Sequence, residues 1–235
     1  MYQLNSKVRY SEAGSDCKLT YASLLNYFQD SSTLHGESLG AGGEKLAEKN
    51  LAWVLSFWQI CIEDMPKLSD DIVVSTWPYD TKGLFGLRNF CMDDAAGKRL
   101  AYANSIWVLV DTRTGRPMRI PAEVGAQYPD EPRLDMDYCE RKIVIPKEYE
   151  EKEPVRVRKF FIDTNHHMNN GKYVMVAEEY LPENFKVKEI RVEYKKAAML
   201  NDVLYPRVTV TEKEVTVVLA DENASPYATV LFIHE

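Results

Sequence analysis

Residues 161–181 read FIDTNHHMNNGKYVMVAEEYL and join a cluster of polar side chains to a run with helical spacing. The apolar residues that recur every three or four positions are Tyr173, Val176, Ala177, Tyr180 and Leu181. This spacing predicts a helix that Pro182 closes. Val174 and Met175 are apolar as well, so apolar side chains surround much of the helix. Such a helix needs cover on several sides, which favours a helix wrapped by a curved sheet.

The first half of the chain contains a similar helical pattern near residues 20–30. Its apolar residues are Tyr21, Leu24, Leu25 and Phe28. Each predicted helix follows a short candidate strand, at residues 7–11 in the first half and 155–161 in the second. The two halves therefore begin in the same way, with a strand followed by a helix.

Two strand-like strings also recur after the helices. Residues 68–74 (LSDDIVV) resemble residues 200–205 (LNDVLY), and residues 102–108 (YANSIWV) resemble residues 227–233 (YATVLFI). An acidic turn precedes the later string in each half. Because the similar features come in the same order, they suggest an internal duplication.

One long helix followed by a run of strands is typical of an α+β unit, with the helix on one face of an antiparallel sheet. Two units of this kind would pair along their sheet edges and leave fewer edges exposed. The stretch 146–154 is rich in proline and charge, as exposed linkers are. We therefore predict an α+β protein with domains at 1–145 and 155–235 and a linker at 146–154.

The composition disfavours several classes of protein. A net charge of −7 argues against a general nucleic-acid binder. Residues 1–6 lack the basic-then-apolar run of a signal peptide, and no apolar stretch approaches the roughly 20 residues of a membrane span. The four cysteines are widely spaced, without a CxxC pair, which argues against a disulfide framework and structural zinc. We expect a cytoplasmic protein with reduced thiols and without a metal or another cofactor.

The polar cluster carries side chains that suit acyl hydrolysis. Asp163, Asn165 and His167 would share one face of a strand, or would converge in a loop that leads into a helix. Asn169 or Asn170 is a natural helix N-cap, and the amides of a helix's first turn attract developing negative charge. A base, an orienting amide and a helix end are parts that acyl hydrolysis needs, and no serine has the spacing of a nucleophile elbow.

Two other interpretations of the cluster stay open. Asp and Asn before a helix are most often turn formers and caps. His166 and His167 are potential metal ligands, but adjacent histidines usually point in different directions, and zinc sites need three or four ligands.

At these residues the chain resembles the acyl-acyl carrier protein (ACP) thioesterases, as a bacterial-type relative of the plant enzymes. The family pattern Asp-x-Asn-x-His-x-Asn-Asn matches Asp163, Asn165, His167, Asn169 and Asn170. The string at 101–111, with Arg113 and Arg116 after it, and the string at 192–196 look like family strands. The resemblance covers nearly the whole chain. It implies a double hotdog fold, in which each of two tandem units wraps a long helix in a curved antiparallel sheet.

The resemblance also implies an activity, namely hydrolysis of the thioester of fatty acyl-ACP, which releases free fatty acid and ends fatty-acid synthesis. It implies that Asp163 acts as a general base or as a nucleophile and that Asn165 orients water or the carbonyl. It also implies that His167 hydrogen-bonds Asp163 or the reacting oxygen and can donate a proton to the leaving thiolate. His166 is expected to face outward. Amides near residues 169–171 would polarise the carbonyl.

One departure from the family pattern matters for the chemistry. Plant members carry adjacent Glu and Cys residues where this chain has Ala197 and Ala198, so a cysteine nucleophile is excluded there. Glu193 would share a strand face with Ala197 and is a weak candidate for a further carboxylate, although an ion pair is the better interpretation.

For the substrate, we expect contacts from Asn169, Asn170 and Tyr173. We also expect the first domain (1–145) to hold the acyl chain in an apolar tunnel. The aromatic residues proposed to line it are Trp53, Phe57, Trp58, Trp77 and Phe85. Ordinary sheet core is an equally good interpretation of these residues. His35 is isolated and is expected to be structural or exposed.

The partner that the resemblance implies is ACP, an acidic protein that presents the acyl group on a phosphopantetheine arm. Two basic clusters would suit its docking. One contains Arg113, Arg116 and Arg119, and the other contains Lys186, Lys188, Arg191, Lys195 and Lys196. The alternatives are an acyl-CoA thioesterase, a hotdog dehydratase, which fits the polar cluster less well, and a non-catalytic acyl-binding protein. Homodimerisation also stays open.

Overall fold

The computed structural model describes residues 1–129 and 131–234. The chain divides into two compact units, each with its own internal contacts. The first unit contains Met1–Ser56 and Ile62–Tyr138, and the second contains Phe57–Cys61 and Cys139–Glu235. Residues 139–145, which the sequence analysis assigned to the first domain, thus lie in the second unit, as do residues 57–61.

The first unit is an antiparallel sheet with one long helix. Its elements are β1 (Tyr2–Lys7), α1 (Tyr21–Ser38), α2 (Gly43–Glu48), β2 (Leu51–Ile62), β3 (Asp71–Lys82), β4 (Phe85–Asp94), β5 (Arg99–Asp111), β6 (Arg116–Pro117) and α3 (Ala122–Gly125). The strand order is β1-β3-β4-β5-β2, with β6 paired to β5. Helix α1 packs on β1 and β3.

Helix α1 begins and packs as its sequence predicts. The Thr20 hydroxyl accepts a hydrogen bond from the amide of Ser23 at 3.2 Å, which satisfies one of the free donors of the first turn. Leu24, Leu25 and Phe28 are fully buried, and the Phe28 ring packs on the Phe90 ring of β4 at 5.3 Å. The apolar stripe of the helix is therefore the core of the first unit.

The second unit repeats this plan with a shorter helix. Its elements are β7 (Glu150–Glu151), β8 (Val155–Arg156), α4 (Asn170–Glu178), β9 (Val187–Tyr194), β10 (Val203–Val210), β11 (Glu214–Ala220) and β12 (Pro226–His234). Residues 57–61 of β2 pair with β9, and the order continues β9-β12-β11-β10, with β7 and β8 paired to β10. Helix α4 packs on β11 and β12. Residues 150–151, in the predicted linker, therefore form a strand.

Alternate residues of β9 pack in the core of the second unit, and one of them, Tyr194, contacts the start of α4. Trp58 pairs with Val192, which pairs with Val230, and all three side chains are fully buried. Two residues further along β9, the Tyr194 hydroxyl donates to the carbonyl of Asn170 at 3.0 Å. Since alternate residues share a face, Val192 and Tyr194 lie on the helix side of the sheet and Glu193 on the other.

Some strand and helix ends differ from those predicted from the sequence. The sequence predicted strands at residues 7–11 and 155–161, but the strands end at Lys7 and Arg156, and 3₁₀ turns follow at Tyr10–Glu12 and Lys159–Phe161. Helix α4 ends at Glu178 rather than near Pro182, and the chain continues in turns from Glu179 onward. Among the described residues, no helix has both the length and the hydropathy that crossing a membrane requires.

Candidate active site

The polar loop, which we define as residues 163–167, is a tight turn closed by backbone hydrogen bonds. An isolated bridge joins Ile162 to Met168 just outside it. Inside, the Asp163 amide donates to the His167 carbonyl at 2.8 Å, and the His166 amide donates to the Asp163 carbonyl at 3.0 Å. His166 has a φ of 62°, in the left-handed region that lets so short a loop reverse direction.

The Asp163 carboxylate organises this loop. Its Oδ1 accepts from the amide of Asn165 at 2.8 Å and from the amide of His167 at 3.4 Å. Asp163 is half-buried, whereas Asn165 and His167 are exposed. Within the described part of the chain, no hydrogen bond joins the Asp163 carboxylate to the His167 imidazole. The structure thus places the three predicted catalytic residues in one short loop, and their side chains form no dyad.

The start of helix α4 is capped by the chain itself. Asn169 is the N-cap, and its Oδ1 accepts from the amide of Gly171 at 2.9 Å. The amide of Lys172 donates to the Asn169 carbonyl, also at 2.9 Å. The resemblance implied that amides near residues 169–171 polarise the carbonyl. In the structure the Gly171 amide instead donates to Asn169.

The end of the polar loop is held by an irregular segment after β9. The Met168 amide donates to the carbonyl of Ala198 at 2.9 Å, and the Ala198 amide donates to the hydroxyl oxygen of Tyr173 at 2.8 Å. Ala198 is fully buried and Tyr173 is 2% exposed. Burial raises the pKa of Tyr173 to about 12, so its hydroxyl stays protonated at neutral pH. This role of the Ala198 backbone could not be predicted from the sequence, because a main-chain contact does not require a particular residue type.

Glu193 is engaged away from the polar loop. The residue is 3% exposed, its Oε2 accepts from the Ile143 amide at 3.2 Å, and its Oε1 pairs with Lys195. Strand β9 ends at Tyr194, so the strand alternation invoked for Ala197 does not extend that far. Glu193 is an ion-paired structural residue of the sheet face opposite α4.

The two tryptophans proposed for substrate binding lie in different units. Trp53 is half-buried in the first unit, where it packs on Leu46, Leu51, Leu109 and Val124. Its ring lies so near Gly86 that a Cβ at position 86 would come within 3.2 Å of it. Trp58 and Phe57 are fully buried and lie in the second compact unit, because residues 57–61 pair with β9.

His35 is structural, as one of the two interpretations had it. Its ring stacks on Tyr2 at 5.6 Å, and its Nδ1 accepts from the Arg88 guanidinium at 2.9 Å. Because arginine only donates, this nitrogen carries no proton and the ring is neutral. Burial and then the charge of Arg88 lower the pKa of His35 to about 4.

The two predicted basic clusters differ in how far acidic neighbours neutralise them. In the second cluster, Arg191 pairs with Glu189 at 2.6 Å, Lys195 pairs with Glu193, and Lys196 pairs with Asp221. In the first cluster, Arg113 pairs with Asp111 at 2.6 Å. Arg116 and Arg119 are exposed, and no ion pair with another described residue engages them. Acidic neighbours thus pair with three of the five cations of the second cluster and with one of the three cations of the first.

The residues that the structure describes contain no group of three or more His, Cys, Asp or Glu side chains arranged to hold a metal ion. The two adjacent histidines of the polar loop therefore lack the further ligands that a zinc site would need.

Comparison with known proteins identifies the family. Residues 1–128 match the family model of the acyl-ACP thioesterase N-terminal domain, and residues 145–224 match that of the C-terminal domain. The chloroplastic palmitoyl-acyl carrier protein thioesterase of Arabidopsis thaliana is 27% identical over 230 residues, which cover 90% of this chain and 55% of that protein. The chain thus spans about half the length of the curated relatives it matches.

Two solved structures have the same fold along their whole length. An acyl-ACP thioesterase from Bacteroides thetaiotaomicron aligns with a TM-score of 0.89 and 22% identity, covering 99% of this chain and 97% of that one. The 12:0-ACP thioesterase from Umbellularia californica aligns with a TM-score of 0.88 and 22% identity, covering 100% and 96%. The predicted α+β double hotdog fold is confirmed, and the chain belongs to the acyl-ACP thioesterase family.

Proposed function

We propose that this protein hydrolyses the thioester of fatty acyl-ACP and releases a free fatty acid. The observation that carries the proposal is the polar loop, whose Asp163, Asn165 and His167 lie in one turn of a chain that belongs to the acyl-ACP thioesterase family. One oxygen of Asp163 holds the loop together. No hydrogen bond with another described residue engages the other oxygen, which we assign to the chemistry together with the exposed side chains of Asn165 and His167.

In the proposed reaction, water adds to the thioester carbonyl while Asp163 takes its proton. Asn165 orients the water or the carbonyl. The C–S bond then breaks, and His167 supplies a proton to the leaving thiolate, so that the products are a carboxylic acid and a free thiol. The proton that Asp163 took from water then passes through solvent to His167 and restores both groups. A direct attack by Asp163 on the carbonyl is the variant of this mechanism that the same residues would support. General acid–base help of this kind contributes roughly 10²–10⁴-fold in rate.

The acyl chain is proposed to bind in the N-terminal domain, which the sequence analysis placed at 1–145. Trp53 is the aromatic residue that supports this proposal, because it is half-buried on an apolar cluster of the first unit. Asn170, whose side chain stands at the first position of α4, remains the proposed polar contact for substrate. None of the four cysteines, all of which the structure describes, forms a disulfide, which suits the reducing cytoplasm that we propose as its location.

For the carrier, we propose that ACP docks on the first basic cluster. Arg116 and Arg119 are the exposed cations there, and an acidic carrier would be attracted to them despite the net charge of −7. Because both charges are exposed, salt would screen this attraction, and docking of ACP would weaken as the ionic strength rises. A small thioester without the carrier would not depend on these charges.

The test is thiol release from acyl-ACP and acyl-CoA of the same chain length, measured side by side at low and high salt. We expect faster release from acyl-ACP, with a KM that rises with salt. Replacing Arg116 and Arg119 together by alanine should raise that KM roughly 3–10-fold, since an exposed ion pair contributes up to about 1 kcal/mol.

The matched control replaces Lys147 and Lys213 by alanine, which removes the same charge from two other exposed positions. Preferential hydrolysis of acyl-CoA would make the protein an acyl-CoA thioesterase. Binding of acyl groups without thiol release from either substrate would make it a non-catalytic acyl-binding protein.

A further inference from the structure

The contact that holds the end of the polar loop has a counterpart in the first unit, built from different residues. There the Leu19 amide donates to the carbonyl of Pro66 at 2.9 Å, as Met168 donates to Ala198 at the same distance. The segments that follow also match, because the Lys67 amide donates to Asp70 Oδ2 and the Met199 amide donates to Asp202 Oδ2, both at 2.8 Å. Pro66 and Ala198 are therefore equivalent positions.

The residue at the fourth position of the helix also differs between the units. Helix α1 starts at Tyr21 and helix α4 at Asn170, so Leu24 and Tyr173 both stand at the fourth helical position. Both are buried. In the second unit the Tyr173 hydroxyl accepts from the Ala198 amide at 2.8 Å. In the first unit Leu24 has no hydroxyl, and Pro66 has no amide proton that would need one.

The two units thus solve one problem in two ways. A buried amide must have an acceptor, and leaving one without costs stability. The first unit has a proline there, which carries no amide proton, and a buried leucine at the fourth helical position. The second unit keeps the amide and provides Tyr173. The leucine–proline pair is sufficient to hold a loop in place, so the polar pair in the second unit calls for a purpose beyond closure of the loop.

Because the second unit has Tyr173 and Ala198 where the first has a leucine and a proline, we infer that Tyr173 is a positioning residue of the hydrolytic reaction. It acts on the polar loop through the backbone of Ala198. Its hydroxyl fixes the Ala198 peptide, and the carbonyl of that residue fixes the Met168 amide at the end of the loop. Asp163 and His167 are thereby held at a set distance from the first turn of α4. The inference rests on the proposed function.

The experiment compares Tyr173→Phe with Tyr27→Phe. Tyr27 is a buried tyrosine of α1 whose hydroxyl donates to Glu12 at 2.7 Å, so its removal deletes a similar hydrogen bond from the other unit. Tyr173→Phe should lower kcat about 10–100-fold at an unchanged KM, since a misplacement of about 1 Å can cost that much. Tyr27→Phe should leave kcat within about twofold of the wild type. A normal kcat in Tyr173→Phe overturns the inference.

A double variant separates positioning from direct catalysis. Tyr173→Phe with Ala198→Pro copies the first unit by deleting the amide together with its acceptor. Positioning predicts that the double variant regains at least a third of the wild-type kcat, and it can be assayed even if Tyr173→Phe alone does not fold. If the double variant folds but stays as slow as Tyr173→Phe, the hydroxyl acts on the reacting groups and the positioning role is wrong.

Hydrogen exchange makes the outcome independent of the proposed function. If the wild-type protein releases no thiol, the proposed function fails, but the amides of residues 163–168 are still measurable. They should exchange at least tenfold faster in Tyr173→Phe than in the wild type, and Tyr27→Phe should leave them unchanged. Equal exchange in Tyr173→Phe and the wild type would show that Tyr173 does not hold the loop.

Discussion

The two junctions between loop and helix, residues 10–21 and 159–170, follow similar backbone paths but carry different side chains. Each begins with a 3₁₀ turn and closes with a bridge, Ala13 to Leu19 in the first unit and Ile162 to Met168 in the second. The first amide of each loop donates to the carbonyl four residues later at 2.8 Å. The backbone therefore follows the same path whether or not the loop carries the polar motif.

The side chains differ at all five loop positions, and three of these positions hold the proposed catalytic residues in the second unit. The first-unit loop, which we define as residues 14–18, has Gly14, Asp16 and Lys18 where the polar loop has Asp163, Asn165 and His167. Asp16 Oδ1 accepts from the Lys18 amide at 3.0 Å, so a carboxylate stabilises this loop too. A carboxylate in such a loop is thus no evidence of catalysis by itself. The function proposed here depends on which position it occupies and on what stands beside it.

The largest effect expected from this comparison follows from Asp163→Asn. Asparagine keeps the oxygen that accepts from the amides of Asn165 and His167, but it has lost the basic carboxylate. Turnover of acyl-ACP should fall roughly 10²–10⁴-fold, the range that general acid–base groups contribute. The midpoint of urea unfolding should stay close to that of the wild type, which shows that the loop is intact.

Asp16→Asn is the matched control for that variant, because it makes the same chemical change in the loop that lacks the motif. It should leave turnover unchanged. Near-normal hydrolysis by Asp163→Asn, or an equal loss in both variants, would remove the assignment of Asp163 as the base.

The second expected effect concerns acid stability and follows from the different lengths of the two helices. Helix α1 has 18 residues and α4 has nine, and the additional turns of α1 carry His35, which is 6% exposed beside Arg88. The pKa of His35 is about 4 in the folded protein, below the ordinary value of 6.5. Below pH 6.5, His35 is therefore protonated in the unfolded chain before it is protonated in the folded protein. The contribution of His35 to the free energy of unfolding is therefore fully present above pH 6.5 and is lost as the pH falls toward 4.

We expect this histidine to remove about 1–3 kcal/mol of unfolding free energy between pH 7 and pH 4.5, since one pKa unit corresponds to about 1.4 kcal/mol. His35→Asn offers Arg88 an acceptor that does not titrate in this range. Urea unfolding at both pH values should show a smaller acid loss in His35→Asn than in the wild type. Equal losses in the two proteins would show that His35 is readily protonated in the folded state.

The sequence predicted the features that depend on pattern. Apolar spacing located both helices, and the recurring strings at 68–74 and 200–205 became the starts of equivalent strands, β3 and β10. The acidic turns are equivalent as well, since Asp94 Oδ1 accepts from the amide of Lys98 and Asp221 Oδ1 from that of Ser225, both at 2.9 Å. Local hydrogen bonding by Asp is readable from sequence because it needs only neighbouring residues.

The features that the sequence did not predict depend on contacts between distant residues. Residues 57–61 could not be assigned to the second unit, because that assignment comes from their pairing with residues 189–193. Lys195 and Lys196 looked like a basic surface, but Lys196 is neutralised by Asp221, which lies 25 residues away. The likeness of the two loops was hidden for a similar reason, since a shared backbone path does not require shared side chains.

The smallest expected effect tests whether the two loops really have one backbone. Cys17 and His166 occupy equivalent positions with φ of 61° and 62°, where a side chain costs about 1–2 kcal/mol and glycine does not. Glycine also makes the unfolded chain more flexible, which costs about 0.4–1 kcal/mol, so Cys17→Gly and His166→Gly should each stabilise the protein by about 0.5 kcal/mol. Ser15→Gly and Thr164→Gly, at neighbouring positions without a positive φ, should destabilise it instead. Urea unfolding of the four variants measures these changes, and turnover of His166→Gly should stay normal. The stabilisation by Cys17→Gly should match that by His166→Gly. A difference of more than about 1 kcal/mol, twice the expected effect of either variant, would mean that the two backbones are not equivalent.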